Sequence, residues 1–221
     1  MVNVTISGHR LGIPYCTLCG SAQAYFTDAV PRGVAPPVLR TSGLLVRSNK
    51  VMYDLRTFSV FDTFTGKALS GPLQDRLVVL DQATVEVSTW GDWKQAHPGT
   101  KIVAEDGGIG REYPADPLGD RDDNGPIFPV GAPDPRLPVQ AQVLGVISPQ
   151  GTPVAFPAEQ ARMALEKGRT VAAAGVEVTT DGGGLRAQGM RTGEELPTHQ
   201  AFWFAWSQFH PDTLIWTPLT E

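Results

Sequence analysis

Apolar and polar residues alternate along most of this chain, the period-two pattern of strands that keep one face in a core. The opening "MVNVTISGHRLGIPYC" alternates in this way, and "GSAQAY" at 20–25 continues as a strand beyond a turn. In "SGLLVRSNKVMYD", residues 42–54, Ser42-Gly43 interrupts one strand and Ser48-Asn49 marks the turn into the next. Asn49 suits that turn because Asn tolerates the left-handed conformation. Residues 143–180 read strand, turn at Gln150-Gly151, strand, helix and strand. The pattern predicts a helix from Ala158 to Lys167, opened after Pro157 and stopped by Gly168.

Two shorter helices are predicted from a motif that occurs twice. Residues 90–100 and 203–213 both read W-x-x-W-x-Q-x-H-P-x-T without a gap. The spacing puts Trp90, Trp93 and His97, and likewise Trp203, Trp206 and His210, on one helical face. Thr89 and Asp92 form a capping-box pattern, and Pro98 and Pro211 end the helices over 90–96 and 203–209. Indoles bury well, so all four tryptophans are expected in the core, with the two histidines in matching roles and not as metal ligands.

The repeat implies an α+β, β-rich fold of two related halves from an internal duplication, carrying short Trp-His helices. Residues 1–103 form the first half, 139–221 the second, and the Asp/Gly/Pro-rich 104–138 an ordered crossing, together one globular unit. The first half is expected to lack its opening hairpin and helix and to carry an insertion at 30–75. In the second half, 176–185 takes the place of the cysteine loop and keeps its turn without a thiol.

Composition narrows the function classes. A net charge of −5 and scattered Lys and Arg give no electrostatic footprint for nucleic acid. No apolar stretch approaches the ~20 residues of a membrane span. The start has no basic segment followed by an apolar run, so the chain as given is expected in the cytoplasm; a start further upstream would make it an exported protein. The 24 Gly and 19 Pro favour a turn-rich, β-dominated build.

The two cysteines sit together in "YCTLCGS". Cys16 and Cys19 match one half of a zinc knuckle, and the same spacing serves a redox pair or two buried structural thiols. A closed zinc site needs four ligands, and there is no second C-x-x-C. Met52, with a soft thioether, and His9 are the residues that could extend the pair towards copper(I). Zinc or copper is therefore the candidate cofactor. Arg47, Ser48, Asn49 and Asp54 flank an apolar strand pair and are the candidate pocket residues. Asp120, Asp122 and Asn124 match the first half of a calcium loop, but Gly131 stands where its closing carboxylate belongs, so calcium binding is expected to be weak or absent. No nucleophile elbow, phosphate-binding loop or H-E-x-x-H occurs.

The Y-C-x-L-C-G-S loop and the run S-G-L-L-x-x-S-N-x-V-M-Y-D, followed by "HPGT", "VLGV" and "FHPDT", resemble the family catalogued as domain of unknown function 3179. The resemblance covers nearly the whole chain and points to these motifs as the site, but it implies no reaction. Members of that family usually begin earlier, and many look exported or lipid-anchored; this chain departs on both counts. The functional expectation is a metal- or thiol-based centre at Cys16 and Cys19, beside a pocket lined by 47–54, serving a small molecule or a metal ion. The alternative is a non-catalytic binding or scaffold module in which both cysteines are structural.

Overall fold

A computed structural model describes residues 1–102, 112, 126 and 129–218. The calcium-like turn with Asp120, Asp122 and Asn124 lies outside the described residues, as does most of the 104–138 crossing.

The alternating segments are strands. β1 (Val2–Ile6) and β2 (His9–Ile13) pair around the Ser7-Gly8 turn. β3 (Tyr15–Cys16) and β4 (Ser21–Ala22) make a short hairpin, and β5 (Ala24–Phe26) returns to β2. β6 (Leu39–Val46), β7 (Asn49–Asp54), β8 (Val60–Asp62) and β9 (Ala68–Ser70) form an antiparallel meander. The single turn α1 (Pro72–Asp75) leads to β10 (Asp81–Ala83), which pairs with β5, and then to α2 (Trp90–Ala96).

The rest of the chain opens with a hairpin of β11 (Gln142–Ile147) and β12 (Pro153–Pro157), followed by α3 (Ala158–Glu166). A second meander comprises β13 (Val171–Ala173), β14 (Val176–Asp181), β15 (Gly184–Gly189) and β16 (Glu195–Leu196). β17 (Thr198–Phe202) pairs with β11, runs directly into α4 (Trp203–Phe209), and β18 (Leu214–Ile215) closes the sheet beside β12. The fold is β-rich with few short helices. Among the described residues, no helix is long and apolar enough to cross a membrane.

Hairpin, four-stranded meander, single strand and Trp helix thus follow one another twice, and two expectations change. The opening hairpin is present, as β1–β2. Residues 30–75 contain the strands of a four-stranded meander with the same strand order as β13–β16. Residues 176–185 accordingly belong to the β14–β15 hairpin of that second meander and do not stand in for the cysteine loop. Between hairpin and meander the cysteine loop occupies one half and α3 the other.

Both Trp helices span the expected residues, and their ends match closely. His97 and His210 cap them with φ/ψ of −127°/67° and −132°/69°, each backbone N–H donating to the carbonyl of Trp93 or Trp206. Trp93 Nε1 donates to Thr100 Oγ1 and Trp206 Nε1 to Thr213 Oγ1, both at 2.9 Å. Each imidazole lies tilted against its indole with centroids 4.3 Å apart.

Burial separates them. Trp203 and Trp206 are in the core, but Trp90 is 49% exposed, Trp93 is half-buried and α2 contains no buried residue. The expectation of four buried tryptophans fails for a compositional reason. The sequence of α4, WFAWSQF, is apolar nearly all round, whereas α2, WGDWKQA, carries Gly, Asp, Lys and Gln between its indoles. α4 packs on β11, where Gly145 leaves room for the indole of Trp206; a Cβ at that position would stand 2.0 Å from Trp206 Cζ3. α2 rests on the polar turn after β14, with His97 Nε2 2.7 Å from Asp181 Oδ1.

Three apolar clusters result. One gathers Leu144, Phe156, the alanines of α3 and the second meander; another gathers Tyr25, Leu39, Met52 and Phe61 of the first half. The third contains Cys16, Cys19 and Phe64 together with Phe202, Trp203, Phe204 and Trp206, and so joins the two halves.

Candidate functional site

The cysteine loop is a tight hairpin in which Cys16 pairs with Ser21 and the N–H of Cys19 donates to the carbonyl of Cys16. Gly20 closes it in the left-handed region at φ +56°, and a Cβ there would also meet Gln142 Nε2 and Phe202 Cε2 at 2.9 Å. Glycine is needed at that position for conformation and for closeness. The Phe202 N–H donates to the Cys19 carbonyl at 2.8 Å, which fastens the hairpin to β17. Leu18 packs against the seam cluster.

Both thiols are free, and they are 1% and 0% exposed. Their sulfurs are 3.2 Å apart, and Cys19 Sγ lies 2.9 Å from the carbonyl oxygen of Ser48. The two environments differ. The hydrogen bond shared with Cys19, helped by backbone N–H groups of Lys50 and Cys19, pulls the Cys16 thiol down to about 6 against the opposing effect of burial. Cys19 is pushed up, first by its bond to Cys16 and then by burial. The shifts run in opposite directions, so when the pair gives up one proton Cys16 is the sulfur that loses it and Cys19 the one that stays a thiol.

Ser21 stands opposite Cys16 and the Ser48-Asn49 backbone adjoins Cys19, and among the described residues Ser21 Oγ, Ser48 Oγ and Asn49 Oδ1 are buried without a partner. Ser48 and Asn49 are therefore beside the thiols, and Asn49 Nδ2 donates to Thr63 Oγ1 at 3.0 Å. Arg47 turns outward at φ +54°, its guanidinium 4.8 Å from the ring of Phe209. It is Arg47, and not Asn49, that takes the left-handed position of the turn; Asn49 opens β7. Asp54 is buried at the far end of β7, accepting from Val38 N, Thr57 N and Thr57 Oγ1. Met52 lies in the first-half core and is not among the residues that pack around the thiols. His9 is exposed on β2, 3.9 Å from Asp28. The structure thus gathers Cys16, Cys19, Ser48 and Asn49 and separates Met52 and Asp54 from them. Among the described residues, no group of three or more His, Cys, Asp or Glu is placed to hold a metal ion.

The sulfurs do not open onto a cleft shared with 47–54. A cleft of about 750 Å³ lies instead on the outer side of the same hairpin, walled by Tyr15, Gly20 and Ala22. Its other walls are residues 137–142, the first turn of α3 from Pro157 to Gln160, Arg162, Val87 and Gln200. Sequence reasoning missed it because its walls come from five separate segments with no motif between them. The one signal was a set of glutamines without a role, Gln140, Gln142, Gln160 and Gln200. A second cavity of about 150 Å³ is lined by His199, His210 and Gln82. Burial pulls His199 down to about 3 and His210 down to about 4, so both rings are neutral at physiological pH, with Gln82 Nε2 2.9 Å from His199 Nδ1.

A family model described as "Protein of unknown function (DUF3179)" matches residues 1–191, most of the chain. No curated protein and no solved structure matches it.

Proposed function

The chain belongs to the DUF3179 family of proteins of unknown function, and we propose that this member is a non-catalytic binding module whose ligand cleft is walled by the Cys16–Cys19 hairpin. The observation that carries the reading is the position of the hairpin. Its outer face, through Tyr15, Gly20 and Ala22, borders a cleft of the size that small molecules occupy, while its thiols face inward and are sealed. The thiol pair then acts as a latch that fixes the wall. We also read the two halves as copies of one unit, supported by the recurring order of elements and the matched Trp-His ends; the cleft lies where the copies differ, between the cysteine hairpin of one and α3 of the other.

The test is a thermal-shift screen of small metabolites against the wild type, Ala22→Trp, which fills the cleft, and the Cys16→Ala/Cys19→Ala double variant. Compounds that raise the Tm of the wild type and of the double variant, but not of Ala22→Trp, are the expected result. Shifts that survive Ala22→Trp would sink the reading.

A second reading keeps the pair as working thiols, favoured by the 3.2 Å sulfur separation and the lowered Cys16 thiol. With two sulfurs and no further ligating group, a bound metal would be two-coordinate copper(I), since zinc needs four ligands. Elemental analysis of protein purified without added metal tests it: near-stoichiometric copper that the double cysteine variant loses supports this reading, and metal-free protein counts against it.

A further inference from the structure

We propose that the cleft receives a carboxylate carried on an apolar body, an inference that rests on the cleft being the ligand site. Three observations converge on one wall. The first turn of α3 faces the cleft, and its N-cap, Pro157, supplies no side-chain cap, so the first N–H groups of a nine-residue helix are left for an outside acceptor. Gln200, only 3% exposed, lines the same space, and its Nε2 has no partner among the described residues. A buried amide donor left unmade is costly, and a ligand acceptor removes that cost. Arg162 lies on the cleft wall one turn further along α3. Its guanidinium is braced on the carbonyls of Val87 and Gly183, with no carboxylate partner among the described residues.

Donors from the helix start and from Gln200, with one cation that no carboxylate pairs among the described residues, describe a site for an anionic acceptor. A carboxylate matches it, since its two oxygens accept from the helix start and from Gln200 at once. The remaining lining sets the other end of the ligand. Val87 and Leu137 offer apolar surface, and Tyr15 an aromatic face, so the group behind the carboxylate is aliphatic or aromatic. Among the described residues Glu159 is the one anion on the wall; it is exposed at the rim, where water screens its repulsion.

The probes are benzoate, phenylacetate and 4-methylpentanoate, each against its primary amide, measured by isothermal calorimetry on the whole protein. The acids should bind and the amides should bind at least ~10-fold more weakly, the worth of a charge-assisted contact. Gln200→Leu and Arg162→Met should each weaken the acids by roughly 10-fold, and Glu159→Gln should tighten them a few-fold. Arg162 lies on a half-exposed helix face, so its variant remains informative where Gln200→Leu unfolds. Acids and amides binding equally, or acids binding unaffected by Arg162→Met, would overturn the inference while leaving the cleft as a ligand site. Failure of all six probes, with other compounds still shifting the Tm of the wild type but not of Ala22→Trp, would also defeat the carboxylate and spare the binding module.

Discussion

Raising the pH from about 6 to about 8.5 should stabilise the folded protein through Cys16, and further increase should reverse the gain. In the unfolded chain both thiols titrate near ~8.5. In the folded chain Cys16 is held at about 6, while Cys19 is pushed up and keeps its proton. Below the folded value of Cys16 both states carry two protons, and the pair adds no slope. Between there and ~8.5 the unfolded chain binds two protons and the folded chain one, so stability climbs by ~1.4 kcal/mol per pH unit, to about 3 kcal/mol at most. Above ~8.5 the unfolded chain has released both protons while Cys19 still holds one, and stability falls with the same slope. The depressed thiol therefore contributes fully above its unfolded value and loses its contribution as pH falls through its folded value; the raised thiol acts in the opposite sense. His199 and His210, drawn down to about 3 and about 4, keep their folded charge constant across this window. The assay is the urea-unfolding free energy of the wild type minus that of Cys16→Ala/Cys19→Ala, under reductant, at about pH 6, 7, 8.5 and 9.5. Subtraction removes every titration the two proteins share. A difference that is flat with pH, or that keeps rising past ~8.5, would refute the assignment of one thiolate and one thiol.

Gly145→Ala should destabilise by about 1–3 kcal/mol or more in the same assay, because the new Cβ meets the Trp206 indole at 2.0 Å; an unchanged midpoint would mean that the indole does not lie on β11. Thr213→Val should cost about 1–3 kcal/mol by stranding Trp206 Nε1 in the core, while Thr100→Val, removing the same, solvent-exposed bond from half-buried Trp93, should cost close to nothing. Equal losses would show that burial does not set the value of this bond. Asp54→Ala should destabilise by about 1–3 kcal/mol, since three donors lose their acceptor, yet leave the thiolate absorbance titration near 240 nm in place. A shifted thiol titration would instead tie Asp54 to the cysteine pair.

The parts of this fold that were legible in sequence are those decided within a few residues. Trp90–Ala96 and Trp203–Phe209 are helices because spacing, cap and proline agree locally, and the Cys16–Cys19 contact follows from a three-residue turn with Gly20 behind it. Burial of Trp90 was not legible, because it depends on what α2 meets, and the polar turn at Asp181 lies far away in sequence. The neighbours of Met52 were not legible for a related reason: alternation shows that one face of β7 is apolar, but not which cluster that face enters. The strand order common to residues 30–75 and β13–β16 was not legible either, because the two meanders share it without sharing residues. The cleft left least trace. A glutamine such as Gln200 carries no spacing rule, and its missing partner is visible only when five segments are assembled.

The hydrogen bond from the Phe202 N–H to the Cys19 carbonyl has a consequence for how the protein is made. It joins positions roughly 180 residues apart, so the wall behind the cysteines is among the last contacts a growing chain can form. Until β17 and α4 have left the ribosome, Gly20 has no Phe202 ring to press against, and a thiol pair sealed in the finished protein is open to solvent. Synthesis of this chain therefore includes an interval of chemical vulnerability that its final structure conceals.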